Sequence, residues 1–171
     1  NELVHATQVY LKPLERLAIF EADPVPRLAL DSRPSACDPY LALHPGSGSE
    51  SKNWPETQWA GLLGQLVAES KINLLLVGGE AEGERLHRLA AKLPTERWQM
   101  ARSLPLAELA ARLQSCAGFV GHDSGISHLA AALGVSCVVL WADTINEIWR
   151  PRGQQVMVIR ENVGLHALSV A

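Results

Sequence analysis

From Tyr40 onward the chain repeats one unit: a short apolar segment, a turn of small or polar residues, and a stretch with helical periodicity. Residues 40–44, 72–77, 98–100, 118–121, 136–141 and 156–159 read as strands. Residues 56–70, 81–93, 105–115 and a segment opening at Ser124 read as the helices between them. In the first helix Trp59, Leu62, Leu63 and Leu66 fall on one face. Residues 72–77 have the apolar character of a strand buried on both sides, as parallel strands are. Strand–helix alternation with right-handed crossovers predicts an α/β fold: a Rossmann-like parallel sheet with helices on both faces. Upstream, residues 2–20 carry apolar positions at roughly helical spacing, and Pro13 must kink that helix or begin a second one. Residues 21–39 hold four prolines, the mark of a linker or irregular surface crossing. The expected division is residues 1–39 as helix and linker, and residues 40–171 as the folded domain.

Folds of this kind bind ligands at the carboxyl ends of their strands. Four loops then share one rim: residues 44–54, 78–84, 121–125 and 142–146. The third is the most informative. Gly121-His122-Asp123-Ser124-Gly125-Ile126-Ser127-His128 turns from strand to helix, and Gly134 is a good stop for that helix. Free N–H groups at a helix start attract anions, phosphates above all. His128 lies four residues after Ser124, on the same side of the helix. Asp123 or Ser124 can equally be read as a helix cap. In the first loop Gly46 and Gly48 permit close backbone approach, Ser47, Ser49 and Ser51 bring hydroxyls, and Lys52 brings a mobile positive charge. The loop is neither a Walker A motif nor a GxGxxG fingerprint, which disfavours P-loop and dehydrogenase readings. In the second loop Glu80 is a candidate acceptor for ribose hydroxyls or a base amine, whereas Glu82 and Glu84 read as acids favoured by a helix start. Asp143 and Thr144 in the fourth loop read as caps. His122 beside Asp123 does not read as a pair, because neighbours along a strand point to opposite faces. His44 reads as structural, and His5, His87 and His166 as uninvolved.

Composition excludes several classes. A formal net charge of −3 implies no basic surface for nucleic acid. Cys37, Cys116 and Cys137 are odd in number and widely spaced, so neither a disulfide framework nor a zinc site follows, and a reducing cytoplasm fits best. No apolar run reaches the ~18 residues a membrane span requires. No metal-ligand spacing such as HExxH occurs.

Taken together, His44-Pro45-Gly46-Ser47 with Lys52-Asn53-Trp54-Pro55, Val77-Gly78-Gly79-Glu80, and residues 123–134 resemble the C-terminal half of the family 9 glycosyltransferases, the heptosyltransferases of lipopolysaccharide core synthesis. The resemblance covers roughly residues 40–155. It implies the donor-binding half of a GT-B enzyme, a fold of two Rossmann-like domains facing across a cleft. The expected donor is a nucleotide sugar, typically ADP-heptose, with no cofactor or metal. By resemblance Gly46 belongs to the donor site, Ser47 and Lys52 hold the diphosphate and sugar side, Glu80 meets the ribose or adenosine, and Leu104 lies where an apolar contact meets the base. Asp123 faces the sugar hydroxyls, and Ser124, Gly125 and His128 hold the diphosphate. The acceptor domain and the catalytic base belong to an N-terminal half that this chain lacks, so the chain alone is expected to bind donor without transferring sugar. A core-type lipopolysaccharide acceptor and peripheral association with the inner membrane follow from the same likeness. Alternatives remain: a non-catalytic nucleotide-binding module, or a GT-B relative that uses a UDP-sugar.

Overall fold

Six parallel strands form one sheet in the order β3-β2-β1-β4-β5-β6, with β1 Tyr40–His44, β2 Asn73–Gly78, β3 Trp98–Arg102, β4 Gly118–His122, β5 Cys137–Trp141 and β6 Val156–Arg160. The computed structural model describes residues 3–30 and 40–170. Cys37 and the linker residues 31–39 lie outside the described residues.

Side-chain alternation along the strands divides the core into two layers. Leu43, Leu74, Leu76 and Leu140 point to one face and meet Trp59 and Leu63 of α2 (Glu56–Glu69) with Leu86 and Leu89 of α3 (Gly83–Ala90). Ala42, Leu75, Val77, Phe119, Val139 and Trp141 point to the other face. They meet Leu109 and Leu113 of α4 (Leu106–Gln114) and Ala130 and Ala131 of α5 (Gly125–Ala132). The central strands are therefore buried on both sides, as the apolar run at residues 72–77 predicts. Each fully buried leucine contributes roughly 1.5–3 kcal/mol relative to exposure. Helix termination follows local chemistry: Gly134 at φ 80° ends the α5 turn in a conformation that disfavours residues with a Cβ.

The expected strands and helices are all present with ends shifted by a few residues: the second helix begins at Gly83 rather than 81, and β3 runs on to Arg102. The single helix expected over residues 2–20 is two pieces. An α-helix covers Ala6–Leu11 (α1), and a tighter 3-10 segment covers Lys12–Leu17 with Pro13 at its start. Proline has no N–H to continue the α-helical ladder, so the break falls there. This arm docks on the domain at two places. His5, which caps α1 through Thr7, donates from Nε2 to the Arg150 carbonyl at 2.9 Å, and the Leu28 N–H reaches the Ala132 carbonyl at 2.8 Å. His5 is thus a buried anchor rather than a bystander. At the other end, the Trp54 indole donates to the Leu168 carbonyl, fastening the C-terminal segment over α2.

Candidate functional site

β1 and β4 are neighbours in the sheet, His44 pairing in register with Gly121, yet their following segments leave toward opposite faces: β1 into α2, β4 into α5. The divergence opens a crevice at the carboxyl ends, the place where ligands of doubly wound sheets bind. Lys52 ends a 3-10 turn, Glu50–Lys52, in the loop after β1, and Asp123 follows β4 directly. Their side chains meet across the crevice, Lys52 Nζ lying 2.9 Å from Asp123 Oδ2. The Thr144 hydroxyl, from the loop after β5, donates to the same carboxylate oxygen at 2.7 Å. That loop is held by the Trp141 indole, which donates to the Thr144 carbonyl at 2.7 Å. His128 and Trp149, of the short helix α6 (Asn146–Trp149), complete the lining of a cavity of about 260 Å³ with Lys52, Asp123 and Thr144. His128 is exposed, but nearby atoms desolvate its ring enough to lower its pKa, against the pull of Asp123. At neutral pH it is therefore a neutral donor or acceptor.

The start of α5 is free of side-chain capping. Ser124 occupies the cap position in extended conformation, yet makes no cap hydrogen bond. Its hydroxyl lies 3.4 Å from both His44 Nδ1 and Ser127 Oγ, at the long limit of hydrogen bonding. The capping alternative for Ser124 is thereby answered. The N–H groups of Gly125 and Ile126, at the first two helical positions, have no intrahelical acceptor, the condition under which a helix start attracts an anion.

The first loop is built differently. His122 sits with its backbone at the end of β4 and its ring turned back under this loop, 0% exposed. Nε2 accepts from the Trp54 N–H at 2.8 Å, and Nδ1 lies 3.2 Å from the Gly46 carbonyl. Desolvation pushes its pKa down to about 4, so the ring is neutral. Burial likewise lowers His44 to about 4. Ser47 bonds within the loop, to the Ser49 carbonyl at 2.7 Å, and Arg85 donates to the Pro45 carbonyl at 3.1 Å.

Glu82, rather than Glu80, turns into the rim. Its carboxylate accepts from the Gly79 N–H at 2.8 Å, and a Cβ at Gly46 would run into its Cγ. A side chain at position 46 would have to displace Glu82. Glu80 is exposed. Leu104 is half-buried and packs on the core layer shared by α4 and α5. Of the residues singled out from sequence, Lys52, Asp123 and His128 converge on one cavity, with Ser124 and Gly125 at its helical edge, while Gly46, Ser47, Glu80 and Leu104 stand outside its lining. Trp149 joins the cavity without having been singled out, and Thr144, read from the sequence as a cap, joins it instead as the hydroxyl on Asp123. Among the described residues no cluster of three or more His, Cys, Asp or Glu side chains is arranged to hold a metal, and no helix is long and apolar enough to cross a membrane.

A doubly wound parallel sheet with a polar crevice at its switch point defines a Rossmann-like α/β domain. The family model of glycosyltransferase family 9 (heptosyltransferase) matches residues 9–168, and the chain belongs to that family. Lipopolysaccharide heptosyltransferase 1 of Pseudomonas aeruginosa is 37% identical over 114 residues, covering 67% of this chain and 31% of that protein. Lipopolysaccharide heptosyltransferase 2 of Escherichia coli is 29% identical over 133 residues, covering 75% of this chain and 38% of that protein. Among solved structures, E. coli heptosyltransferase WaaC with ADP superposes with a TM-score of 0.72 at 28% identity, covering 80% of this chain and 42% of WaaC. The chain therefore spans less than half the length of these relatives.

Proposed function

We propose that this domain binds a nucleotide sugar, ADP-heptose or a close relative, as the donor half of an inverting glycosyltransferase of lipopolysaccharide core synthesis. The observation that carries the reading is the convergence of Lys52, Asp123, His128 and Thr144 on the crevice between β1 and β4, beside the open N-terminus of α5. In this reading the diphosphate takes Lys52 from Asp123 and rests on the Gly125 and Ile126 N–H groups, with Ser124 and His128 as side-chain donors. Asp123, held by Thr144, then faces the sugar hydroxyls. Ser47, with Gly46 beside it, lies on the diphosphate and sugar side with Lys52, and the ribose and base lie toward Glu80, Glu82 and Leu104. Negative charge grows on the diphosphate as it leaves, and donors fixed in advance stabilise it. The base that takes the acceptor proton is assigned to a part of the protein outside this chain, as is the binding of the lipopolysaccharide-core acceptor. Support for adenine comes from relatives: WaaC has been solved with ADP and with ADP-2-deoxy-2-fluoro heptose.

Calorimetric titration of ADP, UDP and GDP into the wild-type domain tests this directly. ADP is expected to bind best, and Lys52→Ala and His128→Ala to weaken it. ADP affinity unchanged from wild type in both variants would remove the site assignment. A preference for UDP would instead favour a UDP-sugar enzyme of the same architecture.

A further inference from the structure

His122 makes no contact with the cavity, yet it joins the two loops that form it. Its ring bridges the two ends of the Gly46–Trp54 segment, accepting from Trp54 at 2.8 Å and facing the Gly46 carbonyl at 3.2 Å. The intervening residues include Lys52, whose ammonium must cross the crevice to Asp123, the residue directly after His122. The Trp54 amide is a donor in every protonation state, so Nε2 must be bare and the single proton must sit on Nδ1, directed at Gly46. The ring is also fixed in orientation. Trp59 stands edge-on to it at 5.5 Å, and Trp54 packs edge-on to Trp59 at 5.4 Å. From the main chain of His122, the carbonyl accepts from the Ser127 hydroxyl, which ties the same residue to the first turn of α5.

We infer that His122 is the positioning residue of the donor site: a neutral imidazole that closes the Gly46–Trp54 loop and so places Lys52 opposite Asp123. The inference builds on the donor-site reading above. The role needs a donor and an acceptor on opposite sides of one flat, buried ring. Apolar side chains fill the volume but leave the Gly46 carbonyl and the Trp54 N–H unpaired, and unpaired buried groups drive a loop toward water. An imidazolium would place N–H against N–H at Trp54. His44, at the end of β1, and Arg85, from α3, face His122 and disfavour that charged form, while Glu50 of the loop favours it weakly.

The test separates the two ends of the bridge. The Nδ1 position of histidine is matched by the amide of asparagine, and the Nε2 position by that of glutamine. His122→Asn keeps the Gly46 contact, His122→Gln keeps the Trp54 contact, and His122→Leu keeps only volume. Two ligand-free readouts are taken on folded protein, with thermal unfolding as the control. Nitrogen NMR of the wild type is expected to report the Nδ1–H tautomer for His122. Hydrogen exchange at the Trp54 amide is expected to be slow in wild type and His122→Gln, and about tenfold or more faster in His122→Asn and His122→Leu. ADP titration follows, with affinity falling in the order wild type, the two amide variants, then leucine, the last weaker by about tenfold. An Nε2–H tautomer, or a leucine variant with wild-type exchange and affinity, would overturn the role. Failure of the wild-type protein to bind ADP, with the exchange pattern intact, would overturn the donor-site reading and leave the loop bridge standing.

Discussion

The two loops that meet at the crevice are made by opposite means. The β4–α5 junction is regular: backbone runs from strand into helix, Ser127 and His128 N–H groups return to the Ser124 carbonyl, and exposed N–H groups at the helix start follow from the geometry. The β1–α2 loop is irregular. Its shape depends on side chains from elsewhere: His122 at its ends, Arg85 at Pro45, Glu82 against Gly46, and Asp123 on Lys52. A junction of the first kind is set largely by its own backbone, with the buried Ser127 hydroxyl tying its first turn to the His122 carbonyl. A loop of the second kind is set by side chains from elsewhere, and it carries the site's positive charge.

The largest effect should come from Trp59→Ala. Trp59 is fully buried beneath the first loop, against Trp54 and His122. Loss of about 3–5 kcal/mol is expected in denaturant unfolding, with amide exchange in residues 46–54 rising before that at the start of α5. Simultaneous loosening of both loops would erase the distinction between them.

Acid should act next. Unfolded histidines take up protons near pH 6.5, whereas buried His44 and His122 resist until about 4. The stability they contribute is therefore complete above about pH 6.5 and falls as the pH drops toward about 4, by a few kcal/mol across both. Chemical denaturation at stepped pH checks this, and replacing His122 with leucine should flatten the slope. Lys52→Ala should weaken ADP binding by about 1.5–3 kcal/mol, the cost of one charge-assisted contact, with little change in melting temperature. Gly46→Ala should cost about 1–2 kcal/mol by expelling Glu82 from Gly79, and much less in a Glu82→Ala background, which a double-mutant cycle resolves. Smallest of all, Ser124→Ala should change stability by less than about 0.5 kcal/mol, because the hydroxyl caps nothing. A larger loss would mean that the side chain does hold the helix.

The same contrast explains what could be read in advance. Period-two and period-3.6 patterns are local, so all six strands and the helices α2 to α5 were legible from residues 40–160, and with them the rim, whereas the four-residue α6 is too short to show a period. Lys52, Asp123 and His128 were legible because loop chemistry and helical spacing mark them. The bridge made by His122 was not, since its partners lie 76 and 68 residues away along the chain. Nor was the inward turn of Glu82 onto the Gly79 N–H: which nearby acid packs against the loops depends on where α3 starts, and element ends are the least local feature of the pattern. Thr144 looked like a cap until the fold set β5 beside β4.

Trp149 gives the crevice an optical property. It lines the cavity with 46% of its surface exposed, whereas Trp54, Trp59 and Trp141 are buried and Trp98, half-buried, begins β3 at the end of the sheet away from the crevice. Ligand in the crevice should therefore protect Trp149 from quenchers such as iodide. Occupancy of the site can then be followed by emission from the native chain, without a label.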